Sequence, residues 1–476
     1  MALPSFRDDF PAWYQEVVRQ ADLAENSLVR GTMVIKPYGY GIWEAIRDAL
    51  DLRIKQTGHE NFYFPMFIPA RLLEREKEHV EGFAPEFALV TRAGGEELGE
   101  PLVVRPTSET IIWDAYSRWV QSYRDLPLLY NQWSNVVRWE LRPRLFLRTT
   151  EFLWQEGHTA HETKQEAWDE AKQMLEVYRQ VAEDVMATPV LVGRKTAAER
   201  FPGAEETLTI EALMRDRKAL QAGTSHYLGQ NFARAYGVTF LGRDGEEHYA
   251  EATSWGASTR LVGGLIMAHG DEKGLRLPPR VAPKQVVIVP IYRSDDEAGR
   301  VLGEAARLAA AWADAGLRVK VDDRDDLRPG FKFADHELRG VPVRVEIGPR
   351  DLDAGQVTLA RRDTGAKSMV AVDEAGSTLV ALMDEIQQGL FDDAVRFRED
   401  HTFEVSSLVE LRAKIEDPGG FVVGGWCGDA ACETTVKAET KATIRTLPLD
   451  GPEPAAGPCI VCGRPSADTA TWAVAY

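Results

Sequence analysis

NVVRWELRPRLFLRTTEFLWQEGHTAH, residues 135–161, is predicted to form two β-strands joined by an arginine-rich loop. Because side chains alternate between the two faces of a strand, Arg138 and Glu140 are expected to share one face of the first strand. The same alternation places on one face of the second strand Trp154, Glu156 and His158. The pattern therefore predicts ionisable groups of both signs on neighbouring strands of a sheet.

If these two faces coincide, charged groups converge on one sheet surface beside aromatic rings. Such groups are costly to bury unless they pair with one another or meet a polar ligand. The segment therefore indicates a binding site for a polar ligand. A solvated sheet face with surface ion pairs is the alternative that this segment alone leaves open.

Two further clusters carry polar side chains. In RPTSET, residues 105–110, three hydroxyl residues and Glu109 precede a helix-like run, a pattern that also fits simple helix capping. In SWGASTRLVGGLIMAHG, residues 254–270, Arg260 opens an apolar helix and Gly256 leaves the backbone accessible. A guanidinium placed there suits a triphosphate, although a surface arginine before a buried helix has the same pattern. No GxxxxGK[ST] loop or GxGxxG turn occurs near a strand, so this phosphate site is expected to differ from P-loop and Rossmann sites.

The composition limits the kinds of protein that the chain can be. Its 476 residues, 44% of them hydrophobic, suffice for about three domains with buried cores. The start, MALPSFRDDFPAWYQ, lacks a basic stretch followed by an apolar core, and no later run is long enough to span a bilayer. We therefore expect a cytoplasmic protein with no membrane partner. The net charge of −18 requires any RNA partner to meet a local basic patch.

Changes of pattern divide the chain into three predicted domains of a mixed α/β (α+β) protein. Residues 1–280 combine aromatic strand-like runs with helices such as Lys164 to Ala187. A basic stretch rich in proline then precedes alternating strands and helices over residues 284–390, which indicates a small α/β domain. Its predicted strands are 285–291, 317–323, 341–347 and 357–363, and its predicted helices are 295–315 and 330–339. Residues 391–476 lead from a helical segment into a tail that holds every cysteine.

The four cysteines form two close pairs. Four residues separate Cys427 from Cys432, two separate Cys459 from Cys462, and 26 lie between the pairs. Two close pairs at this distance are a strong sign of a tetrahedral structural Zn²⁺ site. Four cysteines are too few for a disulfide framework, which favours a reducing compartment.

Taken in order, the clusters resemble the signature motifs of the class II aminoacyl-tRNA synthetases. Residues 31–69 resemble motif 1, a long helix and a Pro-ended strand that form the dimer interface in that family. Motif 2 is resembled by VVRWE, the loop that follows it and FLWQEGH, and motif 3 by GASTRLVGG. Within GASTRLVGG, Thr259 stands where other members often carry an acidic residue. The resemblance implies an antiparallel-sheet catalytic domain, a mixed α/β anticodon-binding domain, a small C-terminal zinc-binding domain and a homodimer.

Within the class, essentially the whole chain resembles the prolyl-tRNA synthetases of the archaeal and eukaryote-like type. The segments that carry this resemblance are RPTSET, FLWQEGHTAH and QAGTSHYLGQNFA. That resemblance implies ATP-dependent activation of L-proline to prolyl-adenylate and transfer of proline to the 3′ end of tRNA(Pro). The residues it assigns to proline are Thr107, Glu109, Arg138, Trp154, Glu156, His158, His226 and Trp255. The residues it assigns to ATP are Arg138, Glu140, Thr149, Thr150, Gln221, Thr224, Ser258 and Arg260.

In the implied reaction the proline carboxylate attacks the α-phosphate in line. Arg138, Arg260 and Mg²⁺ meet the developing charge, so positioning and electrostatic stabilisation suffice and no protein nucleophile is needed. The two arginines are therefore the expected catalytic pair. His226 taken alone fits a core histidine equally well, and its assignment rests on the resemblance.

The stretch GVPVRVEIGPRDL resembles part of the family's anticodon-binding domain. The resemblance implies that four charged residues read the two guanines of the proline anticodon, through contacts that suit guanine chemically. These residues are Glu337, Arg344, Arg350 and Lys367. A solvated sheet edge explains any single one of them equally well.

Three rival interpretations share some of these features. A synthetase for histidine, glycine or serine would carry the same class motifs, whereas a catalytically dead RNA-binding relative has no use for Arg138, Glu140 and Arg260 together. A zinc-ribbon nucleic-acid binder explains only the cysteine-containing tail. No cysteine precedes Cys427, which argues against the active-site zinc that the family resemblance implies for a threonyl enzyme.

Bacterial-type prolyl enzymes carry a hydrolytic editing module between motifs 2 and 3. Here only residues 161–254 separate these motifs, and a predicted helix and a family-like segment occupy much of that stretch. We therefore expect no editing domain.

Overall fold

The computed structural model describes residues 3–73 and 87–476, which include every residue predicted to belong to a site. Within these ranges, no helix combines the length and the apolar character that crossing a membrane requires. The larger sheets are antiparallel or mixed, and helices pack against them. The predicted mixed α/β class is therefore confirmed.

A seven-stranded sheet forms the centre of the first part of the chain. In spatial order its strands are Glu60–Asn61, Leu128–Val137, Glu151–His161, Glu251–Ser258, Ala219–Gly229, Glu206–Leu213 and Val190–Arg194. Every neighbouring pair is antiparallel except the first, which is parallel. Glu156 lies opposite Gln132 on one side and Gly256 on the other. The predicted polar face therefore lies in the middle of the sheet.

The helix Lys164–Gln180 covers the opposite face of this sheet. It begins with a capping box between Thr163 and Glu166. Its buried face matches the predicted spacing and includes Ala167, Ala171, Met174, Leu175 and Tyr178. The α-helix ends at Gln180, before the predicted end at Ala187, and a π-helical turn, Val181–Val185, follows it. Ala187 has a φ of 52°, a left-handed conformation that cannot continue the helix.

Smaller elements surround the central sheet. The helices are Phe10–Gln20, Pro37–Gln56, Glu109–Trp119, Asn231–Tyr236 and Arg260–His269, with a short 3₁₀ turn at Tyr123–Asp125. The small sheets pair Ala24–Asn26 with Met33–Ile35, Phe67–Pro69 and Ala88–Ala93 with Glu96–Val104, and Thr239–Leu241 with Glu247–Tyr249. The helix Pro37–Gln56 and the strand Phe67–Pro69 are the long helix and Pro-ended strand expected in residues 31–69.

The second part of the chain forms a five-stranded sheet. In spatial order its strands are Val319–Val321, Val286–Pro290, Val343–Ile347, Gln356–Arg361 and Lys367–Ala371, and its helices are Asp295–Asp314, Pro329–Leu338 and Pro349–Asp353. The first three strands are parallel, and the last two add antiparallel. The edge strand Lys367–Ala371 was not predicted from the sequence. Most of its side chains are exposed, so it lacks the alternation of buried and polar residues by which a strand is recognised.

The long helix Val372–Asp400 connects this sheet to the C-terminal part and runs across the predicted boundary between residues 390 and 391. The C-terminal sheet has the order Thr402–Glu404, Phe421–Trp426, Asp468–Ala473 and Thr443–Thr446, with the helices Leu408–Glu416 and Ala430–Thr440 beside it. The domain limits 1–280, 284–390 and 391–476 stay predictions.

Candidate functional site

A cavity of about 310 Å³ lies over the polar face of the seven-stranded sheet. The predicted residues in its wall are Thr107, Glu109, Arg138, Trp154, Glu156, His158, Gln221, Thr224, His226, Trp255, Ser258 and Arg260. Glu156 and His158 are only 2% and 1% exposed. This face is therefore a pocket and not the solvated sheet surface that the sequence left as the alternative.

The strand that leads to Arg138 is shorter than predicted. Its last paired residue is Val137, opposite Glu151, and the chain then leaves the sheet. The prediction that Arg138 and Glu140 share a strand face is therefore wrong. Arg138 still reaches the pocket, whereas Glu140 lies in the loop with its carboxylate 2.7 Å from the Arg148 guanidinium.

The Arg138 side chain is oriented by its neighbours. Its Nε donates to the carbonyl of Pro106 at 2.8 Å, and its guanidinium carbon lies 5.2 Å from the centroid of the Trp154 ring. The Trp154 ring is itself held by a hydrogen bond of 3.1 Å from its Nε1 to Ser134. The arginine keeps solvent access inside the pocket, so it can meet a bound anion.

Two carboxylates and one imidazole form a compact buried cluster. Atoms of Glu109, Glu156 and His158 lie within 4.8 Å of one another. His158 Nε2 is 3.1 Å from Glu156, Gln132 donates to Glu156 at 2.8 Å, and the Thr107 hydroxyl donates to Glu109. With two acids and one base, the cluster suits a small cationic group.

The ionisation of this cluster follows from its contacts. Burial raises the pKa of Glu156, but hydrogen bonds from His158, Ser108 and Gln132 outweigh burial and hold the pKa below its usual range. For His158, burial lowers the pKa, but the charges of Glu109 and Glu156 outweigh it and raise the pKa above its usual value. Near neutral pH the carboxylate of Glu156 is therefore ionised.

His226 supplies a neutral part of the wall. Burial, with His158 and Arg138 acting in the same direction, lowers its pKa to about 3. Its Nδ1 lies 3.0 Å from the Thr207 hydroxyl, and its ring stacks on Phe201 with centroids 4.6 Å apart. A neutral ring fixed in this way offers an apolar surface beside the charged cluster.

Arg260 stands at another part of the same wall, at the first residue of the helix Arg260–His269. Its Nε donates to the Leu147 carbonyl at 3.1 Å, and its backbone N–H donates to the Ser258 hydroxyl at 3.2 Å. The pocket thus contains two arginines with fixed positions. The preceding Thr259 is fully buried, so an acidic side chain at this position would be cut off from water.

Three residues assigned to ATP do not line the pocket. They are Glu140, Thr149 and Thr150. Thr149 donates its hydroxyl to the backbone carbonyl of Glu151 at 2.7 Å, and both threonines are buried. The backbone carbonyl of Thr150 accepts from the N–H of Arg138 at 2.8 Å. The two threonines therefore close the base of the loop that carries Arg138.

Trp255 borders the pocket, but its ring packs into the core on the other face of the sheet. The ring is edge-on to His59 and Tyr178, at centroid distances of 5.1 and 6.5 Å, and the residue is 1% exposed. A Cβ on Gly157 would lie 2.1 Å from this ring, so only glycine fits beside it. Strand alternation explains the placement, because Trp255 points away from its neighbours Ser254 and Gly256.

Some wall residues are missing from the sequence-based assignment. They are Phe152, Glu199, Phe201, Thr207, Ala222, Gly223, Ser254 and Ala257, whereas Gly256, whose accessible backbone the sequence indicated, also lines the pocket. Phe152 shares a strand face with Trp154, so alternation alone could have identified it. Glu199 and Phe201 lie in an irregular loop, and no local pattern brings them to the pocket.

A second cavity, of about 200 Å³, lies in the five-stranded part of the chain. It brings together Glu337, Arg344 and Lys367, whereas Arg350 is exposed outside it. Arg344 and Lys367 both contact Glu346, at 2.9 and 2.8 Å. Three of the four residues predicted to read the anticodon thus share one charged depression.

The four cysteine sulfurs converge at one point of the C-terminal sheet. All lie within 4.8 Å of one another, and Cys427 is 3.7 Å from Cys432 and 3.6 Å from Cys462. Zn–S bonds of about 2.3 Å place the sulfurs of a tetrahedron about 3.8 Å apart, so the cluster fits Zn²⁺. Arg464 donates to Cys462 at 3.2 Å and supports a thiolate there.

Comparison with known proteins gives consistent matches along the chain. Residues 90–269 match the model described as tRNA synthetase class II core domain (G, H, P, S and T), residues 285–382 match Anticodon binding domain, and residues 408–476 match Prolyl-tRNA synthetase, C-terminal. The chain is 54% identical to the proline–tRNA ligase of Porphyromonas gingivalis over 98% of both chains. It is 54% identical to those of Salinibacter ruber, over 98% of both, and of Chloroherpeton thalassium, over 100% of this chain and 99% of the relative.

Proposed function

The chain belongs to the prolyl-tRNA synthetases of class II, and from this premise we propose that its pocket activates L-proline with ATP and passes the prolyl group to tRNA(Pro). The observation that carries the proposal is the convergence of the buried acidic cluster with Arg138 and Arg260 in one pocket. The cluster suits the cationic imino group of proline, and the arginines suit its carboxylate and the phosphates of ATP.

At the proline end, Glu109 and Glu156 bind the imino group, and Thr107 and His158 hold these carboxylates in place. Their fixed hydrogen bonds support these roles, because a charged group that need not reorganise binds a cation more strongly. The rings of Trp154 and His226 flank the pyrrolidine ring. Trp255 acts from the opposite face of the sheet, where its ring packs against Gly157 and supports the strand Glu151–His161.

At the ATP end, Arg138 contacts both the proline carboxylate and the α-phosphate, and Arg260 and Ser258 hold the triphosphate. Gln221 and Thr224 contact the ribose and adenine. Attack of the proline carboxylate on the α-phosphate then needs only alignment and compensation of charge. Glu140, Thr149 and Thr150 act through the loop that carries Arg138.

Mg²⁺ enters this site with ATP, held chiefly by phosphate oxygens and water, and when bound it neutralises phosphate charge. No residue of the chain is assigned to it. Zn²⁺ is bound by Cys427, Cys432, Cys459 and Cys462, and the sulfur spacing supports a structural role.

The charged depression in the five-stranded part binds the anticodon. Lys367 and Arg344 donate to guanine acceptors, and Glu337 accepts from a guanine amino group. Arg350 is exposed and lies close to Arg344 in the sequence, and it contacts the same loop of the RNA.

The protein acts as a homodimer in the cytoplasm. Exposed apolar side chains in residues 31–69 support the dimer, and they include Val34, Leu52, Tyr63 and Phe67. The cytoplasmic location stays a prediction from the sequence, and the few cysteines, which favour a reducing compartment, support it.

Charging of a tRNA(Pro) transcript with labelled proline tests the whole proposal. We expect stable prolyl-tRNA with the unmodified transcript and strongly reduced charging when both anticodon guanines are replaced. Equal charging of the two transcripts would contradict the assignment of the anticodon-binding residues. If neither transcript is charged, the proposed function is wrong.

A further inference from the structure

A buried cluster of charges joins the C-terminal part of the chain to the sheet that carries the pocket. Arg445, from the strand Thr443–Thr446, contacts both carboxylate oxygens of Glu211 at 3.0 Å through Nη2. Lys195 contacts the same carboxylate at 2.7 Å. Glu211, Lys195 and Arg445 are 0%, 1% and 5% exposed. Charges buried to this extent persist only when they are paired.

The backbones of the two parts meet directly at this point. The backbone N–H groups of Arg194 and Leu447 each donate to the carbonyl of the other residue at 2.9 Å. A Cβ on Gly193 would lie 2.3 Å from the Leu447 carbonyl oxygen, so only glycine permits this approach. The position of Arg445 relative to the sheet is therefore fixed.

Two links lead from this cluster to the wall of the pocket. Glu211 lies opposite Gln221 in the sheet register, and Gln221 lines the pocket. Glu199 also lines the pocket, and its carboxylate is 3.8 Å from Arg445 and 3.6 Å from Lys437. The C-terminal part thus supplies the cations that neutralise a carboxylate in the wall of the pocket.

We infer that Arg445 is a positioning residue for ATP. By pairing with Glu199 and Glu211, it keeps both carboxylates from attracting Arg260 and from repelling the triphosphate. The inference rests on the proposed assignment of Arg260 and the neighbouring wall to ATP.

The charges explain the expected direction of the effect. The cluster contains three acidic and three basic groups, which are Glu199, Glu211 and Glu433 and Arg445, Lys195 and Lys437. Without Arg445 one negative charge is left beside the pocket. The pKa of Arg260, lowered mainly by burial, also responds to Glu211 in the raising direction and to Arg445 in the lowering direction, which places Arg260 within electrostatic reach of the cluster.

Proline-dependent pyrophosphate exchange, with ATP and proline varied separately, tests this role in the full-length protein. For Arg445→Met we expect the KM for ATP to rise about tenfold, the order produced by one uncompensated charge at several ångströms in a partly screened site. The KM for proline should stay within about twofold, because Gln221 and Arg260, the pocket residues linked to Glu211, are both assigned to ATP. Arg412→Met is the matched control, since Arg412 pairs with Glu439 on the surface of the same part of the chain.

A second variant separates electrostatic positioning from simple loss of structure. Adding Glu199→Gln to Arg445→Met removes the excess negative charge, so we expect the KM for ATP to return to within about threefold of the unmodified protein. Glu199→Gln alone should lower this KM, because it leaves one positive charge in excess beside the pocket. If Arg445→Met does not fold, Glu199→Gln alone decides the question, and an unchanged or raised KM for ATP in that variant overturns the inference.

Other outcomes also overturn the inference. They are an unchanged KM for ATP in folded Arg445→Met, equal rises for ATP and proline, and a rise that Glu199→Gln does not reverse. Exchange by the unmodified protein distinguishes failure of the proposed function from failure of the inference about Arg445. If the unmodified protein shows no proline-dependent exchange, the proposed function fails, whereas normal exchange with an insensitive Arg445 variant removes only the role of Arg445.

Discussion

Arg138 and Arg260 reach one pocket from different parts of the chain, and each is held by a hydrogen bond from its Nε to a backbone carbonyl. Their remaining guanidinium nitrogens are therefore oriented before any substrate binds. Preorganised positive charge of this kind stabilises a transferring phosphoryl group without a cost of reorganisation.

Replacing either arginine by alanine should slow proline activation. We expect Arg138→Ala and Arg260→Ala each to cost at least about 3 kcal/mol, or more than about 100-fold in rate, since each removes a fixed charge from the phosphates. Single-turnover formation of prolyl-adenylate measures this cost, and Arg234→Ala is a surface control outside the pocket. Near-normal rates in either pocket variant would contradict the assignment.

Glu156→Gln should weaken proline binding selectively. An amide keeps much of the shape but cannot pair with a cationic imino group, so we expect the KM for proline to rise at least about tenfold while the KM for ATP changes little. The pKa of Glu156 is lowered in the folded protein, so its carboxylate is ionised at every pH above the usual pKa of a glutamate. Its contribution to proline binding is lost only as the pH falls through the lowered pKa. The higher KM for proline of the variant should therefore persist at both about pH 6 and pH 8, while protonation of His158 alters its size. Disappearance of the effect at pH 6 would contradict an ionised Glu156.

Most pocket residues could be named from the sequence, some because strand alternation groups them and others, such as His226 and Gln221, only through the family resemblance. Glu156 and His158 share a strand face, and the structure keeps them together. Phe201 and Glu199 could not be named, because an irregular loop brings them to the pocket through contacts with His226 and Arg445. Such contacts join residues far apart in sequence, where periodicity carries no information.

At the level of elements, the sequence predicted the types of helix and strand better than their ends. The strand before Arg138 ends where its pairing with Glu151 stops, and the helix that begins at Lys164 ends in a π-helical turn. Both ends depend on tertiary partners and not on local propensity. The edge strand Lys367–Ala371 was missed because it has no buried face.

The cysteine cluster should bind one Zn²⁺ per chain. We expect Cys432→Ser and Cys459→Ser to abolish stoichiometric zinc and to lower the thermal unfolding midpoint by several degrees or more, because the metal cross-links two segments that are distant in sequence. The rate of exchange per folded molecule should fall less than in the pocket variants. Metal analysis of protein from zinc-replete medium measures the first quantity, and its finding no zinc in the unmodified protein would contradict this prediction.

The elements between motifs 2 and 3 leave no separate unit for editing. Residues 162–253 are all described, and their larger strands, Val190–Arg194, Glu206–Leu213 and Ala219–Gly229, belong to the central sheet. Proline is small, so excluding alanine or cysteine by the pocket yields only about 1–3 kcal/mol per methylene-sized difference. We therefore expect measurable activation of cysteine, and weak activation of alanine.

The matching test presents alanyl- and cysteinyl-tRNA(Pro) to the enzyme. We expect both to survive as long as in a control without enzyme. Faster hydrolysis that is lost in Arg138→Ala would reveal an editing centre within the pocket.

In the whole molecule, charged contacts join distant parts of the chain to the elements that carry the pocket. Arg445 reaches the central sheet from the C-terminal part, and Arg362 of the five-stranded part pairs with Asp271, just after the helix that begins with Arg260. The order of domains could be predicted from changes of pattern along the chain. Their contacts could not, because they depend on complementary charges that look like ordinary surface residues in the sequence.

Pyrophosphate exchange with each of the twenty amino acids tests the central claim most directly. The account predicts strong exchange with proline, much weaker exchange with cysteine and alanine, and none above background with histidine, glycine, serine or threonine. Exchange that is strongest with any amino acid other than proline, or no exchange with any of them, would contradict it.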